Sequence, residues 1–149
     1  MTELAVKYLR CSWQDRLLLL YTLMLLGIIR LILLTVPFRY IAAYLGKHMG
    51  ESPYDDQEGN EFIRRVSWAI QVMCRYTPWE SKCLVQAICG KILLRHACLQ
   101  NTLYLGVTKF QGNKMVAHAW LRSGNFVVTG GGITDAFTII SKFADIGNQ

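Results

Sequence analysis

The sequence predicts an α+β fold, because two different hydrophobic periods follow one another along the chain. Up to Cys98 the apolar residues recur at helical spacing, and from Thr102 to Thr129 they alternate as in strands. Helices that precede an antiparallel sheet, rather than alternating with its strands, are typical of α+β domains. Of the 149 residues, 52% are hydrophobic and 17% are charged, which suits one hydrophobic core and excludes intrinsic disorder.

The first element is a long apolar helix at Leu17–Val36, with Ser12 as its N-cap and Asp15 in its first turn. Its length is sufficient to cross a bilayer. However, Arg16 and Arg30 fall about 40° apart on a helix and share one face, and a cation inside a membrane is costly. We therefore expect a packed helix, buried on most sides, with one narrow basic stripe. A membrane span, or a face for a partner or membrane surface, is the alternative.

A second, shorter helix is predicted after Pro37, over Phe38–Leu45, with Gly46 as its C-terminal cap. The polar stretch Gly50–Gly59 is expected to be a linker. The sequence thus divides into an N-terminal helical region, residues 1–50, and a second part, residues 51–149, which together are expected to form one compact unit.

The remaining elements follow from the same two periods. Helices are predicted at Asn60–Arg75 and Lys82–Cys98, and strands at Thr102–Phe110, Met115–Leu121 and Phe126–Thr129, with a tight turn at Ser123–Gly124. The last apolar segment, Ala136–Phe143, fits a helix or a strand equally well.

Charge and cysteine content narrow the functional classes. The formal net charge is +6, but the basic residues are scattered and no nucleic-acid motif accompanies them, so no nucleic-acid partner is expected. The 5 cysteines are odd in number and include no C-x-x-C pair, which favours reduced thiols in the cytoplasm. No metal and no cofactor is predicted.

Cys83 and His118 are the candidate catalytic residues. Cys83 lies at the start of a predicted helix, where free N–H groups and the helix dipole stabilise a thiolate. His118 lies on a predicted strand and is the candidate general base, although a hydrogen-bonded core histidine would give the same pattern. A helix-borne cysteine that faces a strand-borne histidine is the arrangement of papain-like and transglutaminase-like thiol enzymes.

Three short motifs carry a resemblance to a known family. They are Ser81-Lys82-Cys83-Leu84-Val85-Gln86-Ala87, Leu103-Tyr104-Leu105-Gly106-Val107 and Ala117-His118-Ala119-Trp120-Leu121. Together they resemble the lasso-peptide leader peptidases, bacterial processing proteins of the transglutaminase-like superfamily. The segments Asp15–Leu20 and Val36–Arg39 are similar to the helical region that precedes the thiol domain in the same family.

The resemblance implies a transglutaminase/papain-like core and a cysteine protease that removes the leader from a ribosomally made precursor peptide. Cys83 matches the nucleophile of the family and His118 its base. An ATP-dependent, asparagine-synthetase-like cyclase would then close the macrolactam. Because the chain begins directly with apolar helices, the stand-alone form is expected, which implies a separate PqqD-like leader-binding partner. A transglutaminase-like acyltransferase and a non-enzymatic helical adaptor are the alternatives, and peripheral contact with a membrane is not favoured.

The third catalytic residue departs from the family pattern, which often has an aspartate near this point. If Ser123–Gly124 forms a two-residue turn, Thr129 falls opposite His118, and one extra loop residue would place Gly130 there. Asp135 is the nearest acidic residue downstream and is taken as the candidate that orients the imidazole. A backbone carbonyl or the Thr129 hydroxyl is the alternative.

Overall fold

Helices cover one face of an antiparallel sheet in the part of the chain that a computed structural model describes, residues 2–55, 60–77, 82–132 and 134–146. The elements in chain order are α1 (Thr2–Arg10), α2 (Trp13–Thr35), α3 (Phe38–Ala42), β1 (Lys47–His48), α4 (Asn60–Tyr76), α5 (Cys83–His96), β2 (Asn101–Phe110), β3 (Lys114–Ser123), β4 (Phe126–Thr129), a 3-10 turn (Thr134–Ala136) and β5 (Thr138–Asp145). The sheet has the order β1-β5-β2-β3-β4. The predicted α+β class is confirmed.

The N-terminus of α2 forms as predicted. The Ser12 hydroxyl accepts a hydrogen bond from the Asp15 backbone N–H at 3.2 Å and so caps the helix. The Asp15 carboxylate in turn accepts from Arg65 of α4 at 3.0 Å, which ties the two helices together. The Ser12 hydroxyl also donates to the Asp15 carboxylate at 2.8 Å. This hydrogen bond, followed by the one from Arg65, lowers the pKa of the Asp15 carboxyl.

The expectation that α2 is buried on most sides is wrong. Its buried residues are Leu19, Thr22, Leu26 and Ile29. Large apolar side chains remain exposed along the opposite side, namely Leu17, Leu20, Met24, Ile28, Leu31 and Leu34. We call these six residues the outer face of α2. Among the described elements, α4 and α5 make the most extensive contacts with the packed side of α2.

By length and composition alone, α2 could cross a membrane. Its most apolar window has a mean hydropathy of 2.6, and 22% of that window is buried. A single helix of this kind near the N-terminus is a weak indication, since core helices and signal sequences share the same length and composition.

The core lies between α2, α4, α5 and the inner face of the sheet. The sheet contributes Leu103, Leu121, Val128 and Phe143, and the helices contribute a larger set that includes Leu26, Ile70 and Leu94. The fully buried Lys91 of α5 donates to the Asn101 side chain at 2.8 Å and to the Phe143 carbonyl at 3.1 Å. Burial lowers the pKa of Lys91 to about 8, against the opposing effect of nearby Asp145.

Helices α4 and α5 confirm the sequence prediction, whereas the sheet and α3 differ from it or add to it. The β3–β4 turn lies at Gly124–Asn125, one residue later than predicted, because Ser123 pairs with Phe126. The ambiguous segment Ala136–Phe143 enters β5 and is a strand from Thr138 onward. The short edge strand β1 was not predicted; α3 ends at Ala42, before the predicted Leu45.

The predicted linker is packed on the sheet in its described part. The Ser52 backbone N–H donates to the Thr102 hydroxyl at 2.8 Å. Arg122 donates to the carbonyl oxygens of Ser52 at 2.7 Å and of Pro53 at 3.1 Å. These bonds hold residues 50–55 against the outer face of the sheet, on the side opposite the helices. Residues 56–59 of the predicted linker lie outside the described residues.

Candidate functional site

Cys83 is the first residue of α5, as the sequence predicts for a helix-borne nucleophile. Lys82 is the N-cap, with extended backbone and no side-chain hydrogen bond to the helix. The first N–H groups of an α-helix have no partner within the helix. Cys83 is half-buried against the apolar core. The thiol therefore lies where backbone N–H groups are available to stabilise a negative charge.

The other cysteine of α5 is unsuited to nucleophilic chemistry. Cys89 is completely buried, and that burial, followed by the proximity of Cys74, raises the pKa of its thiol far above the usual range. Cys98 is exposed but follows the C-terminus of α5, where the helix dipole disfavours an anion. Of the three, only Cys83 combines partial exposure with a helix N-terminus.

His118 lies on β3, paired with Gly106 of β2. Its Nε2 lies 2.7 Å from the carbonyl oxygen of Gly130. Because a carbonyl oxygen only accepts, the Nε2–H donates and Nδ1 is left as the basic nitrogen of the neutral ring. The ring also contacts Trp120, with centroids 5.8 Å apart, and Phe137, at 5.1 Å. These contacts fix both the tautomer and the plane of the imidazole.

The Gly130 carbonyl occupies the position at Nε2 that we expected Asp135 to hold. Asp135 is exposed on the 3-10 turn, and no hydrogen bond or ion pair connects it with His118 in the described structure. Thr129 pairs with Leu121 and not with His118, because the β3–β4 turn lies one residue later than predicted and the ladder shifts again between Leu121 and Arg122. The buried Thr129 hydroxyl has no partner among the described groups.

Gly130 reaches this position because it has no side chain. Its φ is +72°, and an added Cβ would lie 2.5 Å from the carbonyl oxygen of Ala119. The chain after β4 can therefore pass close to the backbone of β3, which brings the Gly130 carbonyl beside the His118 ring.

Cys83, on α5, and His118, on β3, lie toward the same end of the sheet. Gly90 of α5 faces Leu121, to which an added Cβ would approach within 2.7 Å. At the C-terminus of α5, Arg95 bonds Asp145 at 2.9 Å, beyond the Ser123 end of β3. Helix α5 thus runs roughly parallel to β3, and its N-terminus lies toward the end of β3 that carries His118.

The two side chains are nevertheless not joined. No hydrogen bond links the Cys83 thiol to the His118 ring within the described residues. Successive side chains of a strand point to opposite faces, so His118 leaves β3 with Trp120, whereas Leu121 faces α5. The expectation that the pair meets between helix and sheet is not met in this state of the protein.

The sequence missed a polar cluster on the outer face of the sheet. The Tyr104 hydroxyl donates to Glu51 at 2.6 Å and accepts from Arg122 at 2.9 Å, while its ring stacks on Trp120 with centroids 5.4 Å apart. Hydrogen bonds from Tyr104, Tyr54 and Lys142 lower the pKa of Glu51 to about 2, despite partial burial. The alternation of β2 places Tyr104 on this face, but nothing local pairs it with Glu51.

A metal centre is not formed by the described residues: no group of three or more His, Cys, Asp or Glu side chains lies close enough to hold an ion. The described groups suited to nucleophile and base chemistry at this end of the sheet are a thiol at a helix start and an oriented imidazole on a strand. The fold that carries them is an α+β domain.

Comparison with known protein families identifies the superfamily of this chain. A family model described as the transglutaminase-like superfamily matches residues 32–142, which is most of the chain. The chain therefore belongs to the transglutaminase-like superfamily, which includes cysteine proteases and acyltransferases. No curated protein and no solved structure matches it.

Proposed function

We propose that the protein is a cysteine peptidase that removes the leader from a ribosomally made lasso-peptide precursor before macrolactam formation. The observation that carries the proposal is Cys83 at the uncapped start of α5, in a chain of a superfamily that includes thiol proteases. The three motifs that resemble the lasso-peptide leader peptidases support the substrate class.

The chemistry assigns one role to each group. The Cys83 sulfur attacks the carbonyl carbon of the scissile bond, and Nδ1 of His118 takes the thiol proton. His118 then returns that proton to the leaving amine as the C–N bond breaks. Water hydrolyses the thioester, which yields the leader carboxylate and restores the thiol. First-turn N–H groups of α5 are placed to stabilise the oxyanion.

This mechanism requires Cys83 and His118 to approach each other when the substrate binds. Because His118 leaves β3 on the face opposite α5, this approach is a rearrangement of the site and not the tightening of an existing hydrogen bond. The Gly130 carbonyl already holds the His118 ring in the tautomer that the mechanism uses.

A PqqD-like leader-binding protein and an ATP-dependent cyclase are the proposed partners, in the cytoplasm. The outer face of α2 supports a docking role, since six large apolar side chains are exposed there. Deleting the N-terminal region would also remove core residues such as Leu26, so a surface variant is the better test. Leu20→Gln with Met24→Gln should leave folding intact and weaken docking; unchanged affinity for the partner would exclude this face.

The activity is tested by incubating precursor, PqqD-like protein and this protein, followed by mass spectrometry. Cys83→Ala and His118→Ala should each abolish leader release, whereas Cys98→Ser, which removes an exposed thiol, should retain it. Products that gain water at a free carboxylate indicate hydrolysis. Products that gain an amine fragment would identify an acyltransferase, and retained activity in Cys83→Ala would contradict the proposal.

A further inference from the structure

The β2–β3 hairpin extends beyond the rest of the sheet and has open edges on both sides. β5 pairs with β2 only up to Val107, which lies opposite Thr138, and β4 pairs with β3 only at Leu121–Ser123. Residues 108–117 therefore form a two-stranded ribbon without further strand partners in the described structure. We call these residues the arm.

The open edge of β3 leads directly to His118. Lys114–Ala117 are exposed, and His118 is half-buried at the base of the arm. From Ala119 onward the edge is occupied, since Gly130 lies against the Ala119 carbonyl. A strand edge presents a row of unpaired N–H and C=O groups, which is a template for an extended peptide.

The side chains of the arm indicate the chemistry of such a peptide. Lys109 and Lys114 lie on opposite faces of the ribbon, and neither forms an ion pair in the described structure. The sequence contains no Asp or Glu between Asn101 and Thr134. Exposed apolar side chains lie beside the lysines, namely Phe110 at 59%, Met115 at 56% and Val116 at 36% exposure. The arm is thus basic and apolar, with an open backbone.

We propose that the edge of β3 at Lys114–Ala117 binds an extended peptide that alternates acidic and apolar residues. The peptide adds as a further strand on the edge of β3, with its carboxylates on the face of Lys114 and its apolar side chains on the face of Met115, and its chain passes His118. That the bound peptide is a substrate rests on the proposed peptidase activity. The binding itself does not, because it requires no reaction.

Binding is measured by fluorescence anisotropy with the full-length Cys83→Ala protein. The probes are a fluorescein-labelled peptide of alternating Val and Glu and a matched peptide of Val and Lys. We expect the acidic peptide to bind at least about tenfold more tightly at low salt. Lys114→Glu should remove this preference. The matched control, Lys109→Glu, introduces the same charge on the opposite face of the arm, one strand further from the bound peptide, and should keep the preference.

Backbone pairing is tested by N-methylation of alternate residues of the acidic peptide. In a strand only one of the two alternate frames directs its N–H groups to the edge, so one methylated peptide should lose binding and the other should keep it. Slower hydrogen exchange at Lys114–Ala117 is expected with the bound peptide. Equal loss in both frames, or equal affinity for acidic and basic peptides, would overturn the proposal.

The two proposals fail separately. If the Cys83→Ala protein binds the acidic peptide but the unmodified protein never cleaves a precursor, the docking edge stands and the peptidase assignment does not. If the precursor is cleaved with an unchanged KM after charge reversal at Lys114, the docking edge is wrong and the peptidase remains.

Discussion

Nε2 of His118 donates a hydrogen bond to the carbonyl oxygen of Gly130, 2.7 Å away. A main-chain group thus orients the imidazole where thiol enzymes usually employ an Asp or Asn side chain. A neutral carbonyl fixes the tautomer as a carboxylate does, but it stabilises the imidazolium less. The Gly130 carbonyl thus positions the ring as the third residue of a thiol enzyme would, but without a charge.

This arrangement predicts that Asp135 is dispensable. Asp135→Asn and Asp135→Ala should each leave the rate of leader removal within about threefold, because the side chain is exposed and makes no bond to His118. His118→Ala, tested in parallel, should lower the rate by at least about a thousandfold. A hundredfold decrease in kcat for Asp135→Asn would show that the carboxylate, and not the Gly130 carbonyl, orients the ring.

Gly106 should be sensitive to the smallest substitution. An added Cβ would lie 2.9 Å from both the Cβ of Phe137 and the ring of Trp120, the two residues that pack on His118. We expect Gly106→Ala to lower the free energy of unfolding by about 1–3 kcal/mol, measured by urea denaturation, and to lower kcat by displacing the imidazole. Gly131→Ala, on the exposed chain after β4, should cost less; equal effects would contradict the packing argument.

The thiols should differ in their reaction with iodoacetamide near neutral pH. Cys89 is buried with a raised pKa, so it should remain unlabelled in the folded protein and react only after denaturation. Cys83 and the exposed Cys98 should both be labelled. Peptide mapping by mass spectrometry separates the sites. Labelling of Cys89 as fast as that of Cys98 would mean that α5 opens readily or is packed differently.

Glu51 should contribute to stability at neutral pH and lose that contribution in acid. Hydrogen bonds from Tyr104, Tyr54 and Lys142 lower its pKa from the usual 4.5 to about 2, so the ionised form favours the folded state. The contribution is complete above pH 4.5 and is lost as the pH falls toward 2. Glu51→Gln should therefore cost about 1 kcal/mol at pH 7 and progressively less below pH 4.5.

Denaturation curves of the unmodified protein and Glu51→Gln across this pH range measure the effect. Asp55→Asn is the matched control, since it removes an exposed carboxylate four residues away that makes no hydrogen bond or ion pair in the described structure. A difference between the unmodified protein and Glu51→Gln that does not change with pH would place the contribution of Glu51 in packing and not in its charge.

Features that depend on neighbouring residues were predictable. The Ser12 cap, the end of α2 before Pro37, the Cys83 position at a helix start and the strand that carries His118 all follow from local hydrogen bonding and periodicity. The remaining errors arise where distant segments meet. The later β3–β4 turn and the ladder shift after it move Thr129 away from His118, and such changes of register cannot be seen in a strand pattern.

The sequence by itself determined the α+β order, the long apolar helix, and the places of Cys83 at a helix start and His118 on a strand, because hydrophobic period and caps act over one or two turns. Tertiary structure decided that the outer face of α2 stays exposed, that residues 50–55 bind the sheet through Arg122, and that the Gly130 carbonyl orients His118. Each of these depends on which distant segments come together when the sheet and the helices pack. A local sequence pattern does not show this.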